Sequence, residues 1–287
     1  MKNVLRCVFT AFVLMCSMPA FAVHVSNTAA VCQEKGEKPS KVTYKMETDI
    51  PYVANETDAY RKERCKLDVY YPDGQTNVAT VVYFHGGGLE AGSKTVPNAL
   101  REKGVAVVAP NYRLSPKANH PDYILDAAEA VAWTLQHIKS FGGDPTRVFV
   151  AGHSAGGYLT LMLAMDTTYL AKHGIDADQV AGYVPLSGQT NTHYTIRKER
   201  GLKSEIPIID TFAPIYHARK MGTPLILVTG DRDKELLARY TENLHMKNIL
   251  EAVGNEQIPL FELQGFDHGT METPGLLLLL ELMRKQK

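Results

Sequence analysis

The chain of 287 residues is long enough for one large α/β domain or two small ones, and no Pro/Ser/Gly linker, charge run or repeat divides it, so one domain is expected. Lysine plus arginine equals aspartate plus glutamate at 31 each, with no basic block, which argues against a nucleic-acid surface.

The opening residues "MKNVLRCVFTAFVLMCSMPAFA" carry Lys2 and Arg6, then an apolar run, then Ala20-Phe21-Ala22. That is the charged, apolar, small-residue order of a secretory signal, and it predicts cleavage after Ala22 and a secreted or periplasmic chain from residue 23 to 287. The apolar stretch from Cys7 to Met18 falls short of the roughly 20 residues that span a bilayer. Removing the leader leaves Cys32 and Cys65 as the remaining thiols. Two thiols in an oxidising compartment are expected to pair, stabilising the fold by about 3 to 4 kcal/mol through loop entropy.

From Lys66 onward short β-branched runs alternate with helical patterns. The runs "KLDVYY", "VATVVYF" and "GVAVVAP" read as strands. In "DYILDAAEAVAWTLQHIK" the residues Ile124, Ala128, Val131, Leu135 and Ile138 recur every three or four positions and line one face of a helix. Asp144-Pro145 breaks the chain before the strand "RVFVAG", and "AGGYLTLMLA" then starts a helix. The segments "VAGYVPLS" and "PLILVTG" are further strands, followed by a helix from about Lys234 to Val253, the strand "IPLFEL" and a last helix beginning near Gly275. The rhythm predicts an α/β fold, a mostly parallel sheet with helices on both faces. Periodicity lapses between residues 188 and 214, where a lid or pocket segment is expected. Its aromatic residues His193, Tyr194 and Phe212 either flank a substrate group or pack internally.

The stretch "AGHSAGG" places Ser154 on the turn between a strand and a helix, with Gly152, Gly156 and Gly157 letting the two approach closely. A serine hydroxyl is a weak nucleophile at neutral pH, so it needs a base within hydrogen-bond reach and an acid that orients the base. The loop "GFDHGT" after "IPLFEL" offers His268, and "TGDRD" after "PLILV" offers Asp231 and Asp233. The glycine loop "YFHGGGLEAGS" supplies backbone N–H groups at Gly87 and Gly88 which, with Ala155 at the helix start, would form an oxyanion hole. His85 and His153 read as structural neighbours. No metal-ligand spacing appears, and no Gly-x-Gly-x-x-Gly opens a helix after the first strand, so neither metal nor cofactor is expected.

With "HGGG" at 85–88, "NYRLSP" at 111–116, "GHSAG" at 152–156, "GDRD" and "GFDHG", the chain resembles the α/β-hydrolase esterases with an HGGG loop, similar to hormone-sensitive-lipase-like and bacterial acetyl or feruloyl esterases. The resemblance covers nearly all of residues 66–287. It implies an α/β-hydrolase fold and a serine carboxylesterase acting on short-acyl or aryl esters, with a triad of Ser154, Asp233 and His268, since in the family the acid follows a glycine by three positions. Leu89 and Thr229 depart from the family pattern and leave the acyl pocket open. Implied partners are small-molecule esters, including acyl groups linked to polysaccharides, with no nucleic acid and no stable membrane span. The competing readings are a formamidase-type amide hydrolase on the same triad and a non-catalytic binding protein on a retired hydrolase scaffold.

Overall fold

A computed structural model describes residues 42–54 and 56–285, which lie in one compact unit spanning Lys41–Lys287. The expected leader and Cys32 lie outside the described residues. Cys65 is a fully buried thiol, and burial pushes it up to about 12.

Among the described residues eight strands form one sheet: β1 (Tyr44–Pro51), β2 (Lys66–Pro72), β3 (Val78–Phe84), β4 (Ala106–Pro110), β5 (Gly143–His153), β6 (Gly182–Leu186), β7 (Leu227–Gly230) and β8 (Leu260–Leu263). Their order is β1-β2-β4-β3-β5-β6-β7-β8. The first two pairings, β1 with β2 and β2 with β4, are antiparallel, and all later ones are parallel. The helices are α1 (Ala59–Arg64), α2 (Asp122–His137), α3 (Ala155–Met165), α4 (Thr168–Ala171), α5 (Tyr194–Glu199), α6 (Arg239–Ala252) and α7 (Glu272–Lys285).

The central strands explain the two-faced architecture. Every residue of β3 is buried, and its β-branched and aromatic side chains alternate between two cores. Val82 and Phe84 join the cluster under α2 and α3, while Val81 and Tyr83 join the one under α7. A strand covered on both sides has no polar face, which is why it reads as a continuous apolar run. Helix α3 is likewise buried along its whole length, so it lacks the polar stripe of a surface helix. By contrast β1 is an exposed edge strand with Lys45, Glu47 and Asp49 in it, a composition that discourages further strand pairing.

Two boundaries differ from the sequence pattern. Helix α6 starts at Arg239, five residues later than its apolar periodicity suggests, because Lys234 and Glu235 donate to the Asp231 carbonyl in a separate turn and Ala238 sits at φ 64°. The first part of segment 188–214 is packed in: Thr192 donates to the Ile208 carbonyl at 2.9 Å and its hydroxyl to Asp210 at 2.6 Å, and residues 189–193 and 195–197 are buried, whereas 198–211 is largely exposed. Of its aromatics, His193 packs inside against Tyr158, Phe212 lies against His120, and Tyr194 is partly exposed.

Candidate active site

Strand β5 delivers Ser154 to the carboxyl edge of the sheet. The serine has φ 56° and ψ −112°, a conformation disfavoured for any residue with a side chain, and α3 begins at the next residue. Its N–H donates to the Leu186 carbonyl at the end of β6 at 2.8 Å, which fixes the elbow to the neighbouring strand. Side chains are excluded around it by contact: a Cβ on Gly157 would lie 2.8 Å from the Gly188 Cα, and one on Gly152 only 2.5 Å from the Gly156 backbone. Ala155, at the start of α3, has an N–H with no intrahelical partner, aligned with the positive end of the helix.

His268, on the loop after β8, places Nε2 2.9 Å from the Ser154 hydroxyl oxygen. His153 donates from Nε2 to the His268 carbonyl at 2.7 Å, so the residue before the nucleophile also anchors the base. Burial, then the neighbouring His268, pulls the His153 ring below its ordinary value and keeps it neutral. The other nitrogen of His268, Nδ1, lies 2.9 Å from a carboxylate, and that carboxylate belongs to Glu235. A carboxylate only accepts, so Nδ1 carries the proton and Nε2 faces the serine as acceptor.

The expected orienting acid, Asp233, is therefore replaced by Glu235, two residues further on. The cause is the turn that follows β7: Glu235 N–H reaches the Asp231 carbonyl at 2.8 Å, so positions 231 and 235 share one side while Asp233 sits exposed at the crest. Asp231 has a tethering role, its oxygens taking the N–H groups of Asp233 at 3.0 Å and Gly265 at 2.8 Å and so joining the two loops. Those backbone hydrogen bonds hold its carboxyl below the usual range.

Glu235 is fully enclosed. Oε1 accepts from the Ser187 hydroxyl at 2.6 Å and Gly230 N–H at 2.9 Å; Oε2 accepts from His268 and from Leu236 N–H at 3.0 Å. Burial alone would raise its pKa, but the donors from His268, Ser187 and Gly230 outweigh it and hold the carboxyl at about 2. Ser187 and Glu235 carry no motif of their own in the sequence.

The glycine loop lies beside the nucleophile, since a Cβ on Gly86 would sit 3.4 Å from the Ser154 Cβ. Gly87 and Gly88 adopt φ 111° and 66°, where a side chain is strained. The Gly87 carbonyl accepts from Glu90 and Ala91, and among the described residues the N–H groups of Gly87 and Gly88 have no protein acceptor. His85 holds the loop from behind, with Nδ1 2.7 Å from the Gly86 carbonyl and its ring stacked 4.4 Å from Tyr112, whose hydroxyl donates to the His85 carbonyl at 2.8 Å. Burial drives the His85 pKa down to about 4, so the ring is neutral. Leu89 is fully buried in the core, so its departure from the aromatic family pattern alters packing beneath the loop. Helix α5 covers the far side: the Thr195 hydroxyl donates to the Gly88 carbonyl, and the Tyr194 hydroxyl occupies the space a Gly88 side chain would need.

Residues 67–247 match the model of the BD-FAE family. Among curated proteins the chain is similar to isoprenylcysteine alpha-carbonyl methylesterase ICME of Arabidopsis thaliana, 27% identical over 67% of this chain and 51% of that protein. It is also similar to the probable carboxylic ester hydrolase LipM of Mycobacterium tuberculosis, 36% identical over 42% of this chain and 29% of that one. The chain thus spans about half or less of the length of these relatives. Among solved structures, a truncated carbohydrate esterase from gut microbiota superposes with a TM-score of 0.68 at 17% identity, covering 88% of this chain and 99% of that one. Thermogutta terrifontis esterase 2 phosphoramylated by tabun superposes with a TM-score of 0.62 at 22% identity, covering 84% and 92%. At such identities the likeness is one of fold, the α/β-hydrolase fold. Because the family match covers well over half of the sequence and includes the HGGG loop, Ser154 and Glu235, the chain belongs to the BD-FAE family of α/β-hydrolases.

Proposed function

We propose that the protein hydrolyses carboxylic esters through an acyl-enzyme on Ser154. The observation that carries this reading is the unbroken hydrogen-bond chain from the Ser154 hydroxyl through His268 to Glu235, with both links at 2.9 Å. Nε2 of His268 takes the hydroxyl proton as the oxygen attacks the ester carbonyl, and Glu235 stabilises the imidazolium that forms. The oxyanion falls to the N–H groups of Gly87, Gly88 and Ala155, and His268 then protonates the leaving alcohol. Water, activated by the same imidazole, releases the acid.

The reading takes short acyl groups as substrates, supported by the Tyr194 hydroxyl, which stands where a Gly88 side chain would be. The signal-like leader supports export, and with it acyl groups carried on extracellular material such as polysaccharides; the carbohydrate esterase among the fold neighbours supports the same reading. Export also supports the Cys32 to Cys65 disulfide, which an intact mass without reductant would reveal as a loss of two hydrogen atoms relative to the reduced chain.

The test is Ser154→Ala assayed on p-nitrophenyl acetate and on an N-formyl aryl amine. The variant should fold normally, lose at least about 10³-fold in turnover on the ester and escape labelling by a fluorophosphonate probe. Retention of more than a tenth of wild-type ester cleavage would overturn the assignment, and wild-type preference for the formyl amide would move the substrate class to amides.

A further inference from the structure

Ser187 stands one residue beyond β6, fully buried, and the proposed mechanism leaves it without a role. Its φ is 49°, in the left-handed region where a residue with a side chain is strained and a glycine at this position would be accepted freely. The strained position keeps a hydroxyl. Its N–H donates to the Val228 carbonyl at 2.7 Å, and its carbonyl accepts from the guanidinium of the buried Arg239. Strand β7 and helix α6 therefore hold this residue from both sides.

The hydroxyl oxygen lies 2.6 Å from Oε1 of Glu235 and 3.0 Å from Nδ1 of His268. One proton is available for two contacts. The carboxylate can only accept, so the proton points at Glu235 and an oxygen lone pair faces Nδ1–H. The imidazole N–H is then shared between Glu235 Oε2 at 2.9 Å and the Ser187 oxygen at 3.0 Å.

From this closed three-membered arrangement we infer that Ser187 is a positioning residue for the triad, fixing the Glu235 carboxylate and offering the His268 imidazolium a second acceptor. The inference rests on the esterase reading above. Ser187 acts through Glu235 and His268, so removing its hydroxyl should slow chemistry and leave substrate binding alone.

The experiment combines Ser187→Ala, Ser187→Gly and Glu235→Gln, alone and as Ser187→Ala/Glu235→Gln, with kcat and KM measured on a short-acyl ester. The lost hydrogen bond to charged partners should lower kcat about 10- to 100-fold in both Ser187 variants, with KM within about twofold. In the Glu235→Gln background the same Ser187→Ala change should cost less than about threefold, because the two groups act as a unit. The Nδ1–H proton resonance of His268, read by NMR without substrate, should shift in Ser187→Ala. Ser187→Gly retaining more than half of the wild-type kcat would show that backbone strain was at issue, and would overturn the inference. An additive double-mutant result, or an unmoved Nδ1–H resonance in folded Ser187→Ala, would also overturn it. The NMR arm reads the arrangement whether or not esters are the substrate, whereas Ser154→Ala turnover reads the esterase assignment alone.

Discussion

The ring of His153 donates from Nε2 to the main-chain carbonyl of His268 at 2.7 Å, with the two ring centres 4.8 Å apart. The loop carrying the base is thereby fastened to the residue before the nucleophile, and the distance from serine to imidazole does not depend on the β8 loop alone. His153→Phe keeps an aromatic ring and removes the bond. One neutral hydrogen bond corresponds to about a tenfold change, so kcat should fall by about that factor with KM nearly constant. A fall in kcat that follows only from the lost folded fraction, with a lowered melting temperature and unchanged kcat per folded molecule, would assign His153 to packing.

The proposed short-acyl preference puts Tyr194, beside Gly88, at the edge of the acyl space. Tyr194→Ala opens the space beside Gly88, and kcat/KM for hexanoyl relative to acetyl esters should rise about tenfold or more, the scale of a few methylenes in an apolar pocket. An unchanged chain-length profile would place the acyl group elsewhere.

Stability should fall as the pH drops from about 6.5 to 4. Burial pulls both His85 and His120 down to about 4, so each is neutral in the fold while the unfolded chain takes up a proton near the ordinary value of 6.5. Within that window the unfolded state binds more protons. Each imidazole then contributes a loss of about 1.4 kcal/mol per pH unit, levelling off below 4. Urea unfolding of the wild type and His120→Gln at pH 7, 6, 5 and 4 checks this, the variant having the shallower dependence.

Asp126 is a second buried charge with a purely structural assignment. Its carboxylate, fully enclosed, receives Arg113 at 2.8 and 2.9 Å and Arg61 at 3.0 Å, which ties α1 and the "NYRLSP" loop to α2. Asp126→Ala leaves Arg61 with Glu56 and Glu129 and Arg113 with Asp122 as carboxylate partners, and should cost about 3 kcal/mol in urea unfolding.

The sequence reading reached the sheet, the elbow and the base because each has a short-range cause: β-branched runs buried on both faces, glycines demanded by close contact, and a histidine placed just past a strand. The start of helix α6 at Arg239, five residues after Lys234, is not legible because its apolar period runs into the preceding turn without a break at Ala238. Glu235 escaped for a related reason. The family resemblance, with its acid three positions after a glycine, points to Asp233, but which side chain turns inward depends on the bond from Glu235 N–H to the Asp231 carbonyl, a three-dimensional fact with no sequence signature. Ser187 depends on contacts with residues 48 and 81 positions away, beyond any local pattern.

The central claim is that Glu235 orients the base, and Glu235→Gln set beside Asp233→Asn tests it most directly. With a neutral amide facing Nδ1, kcat on a short-acyl ester should fall about 10³- to 10⁴-fold, the scale seen when a triad acid loses its charge. Asp233→Asn, exposed at the crest of the turn, should stay within about twofold of wild type, as surface changes away from such features do. A large loss in Asp233→Asn with near-normal turnover in Glu235→Gln would contradict the account.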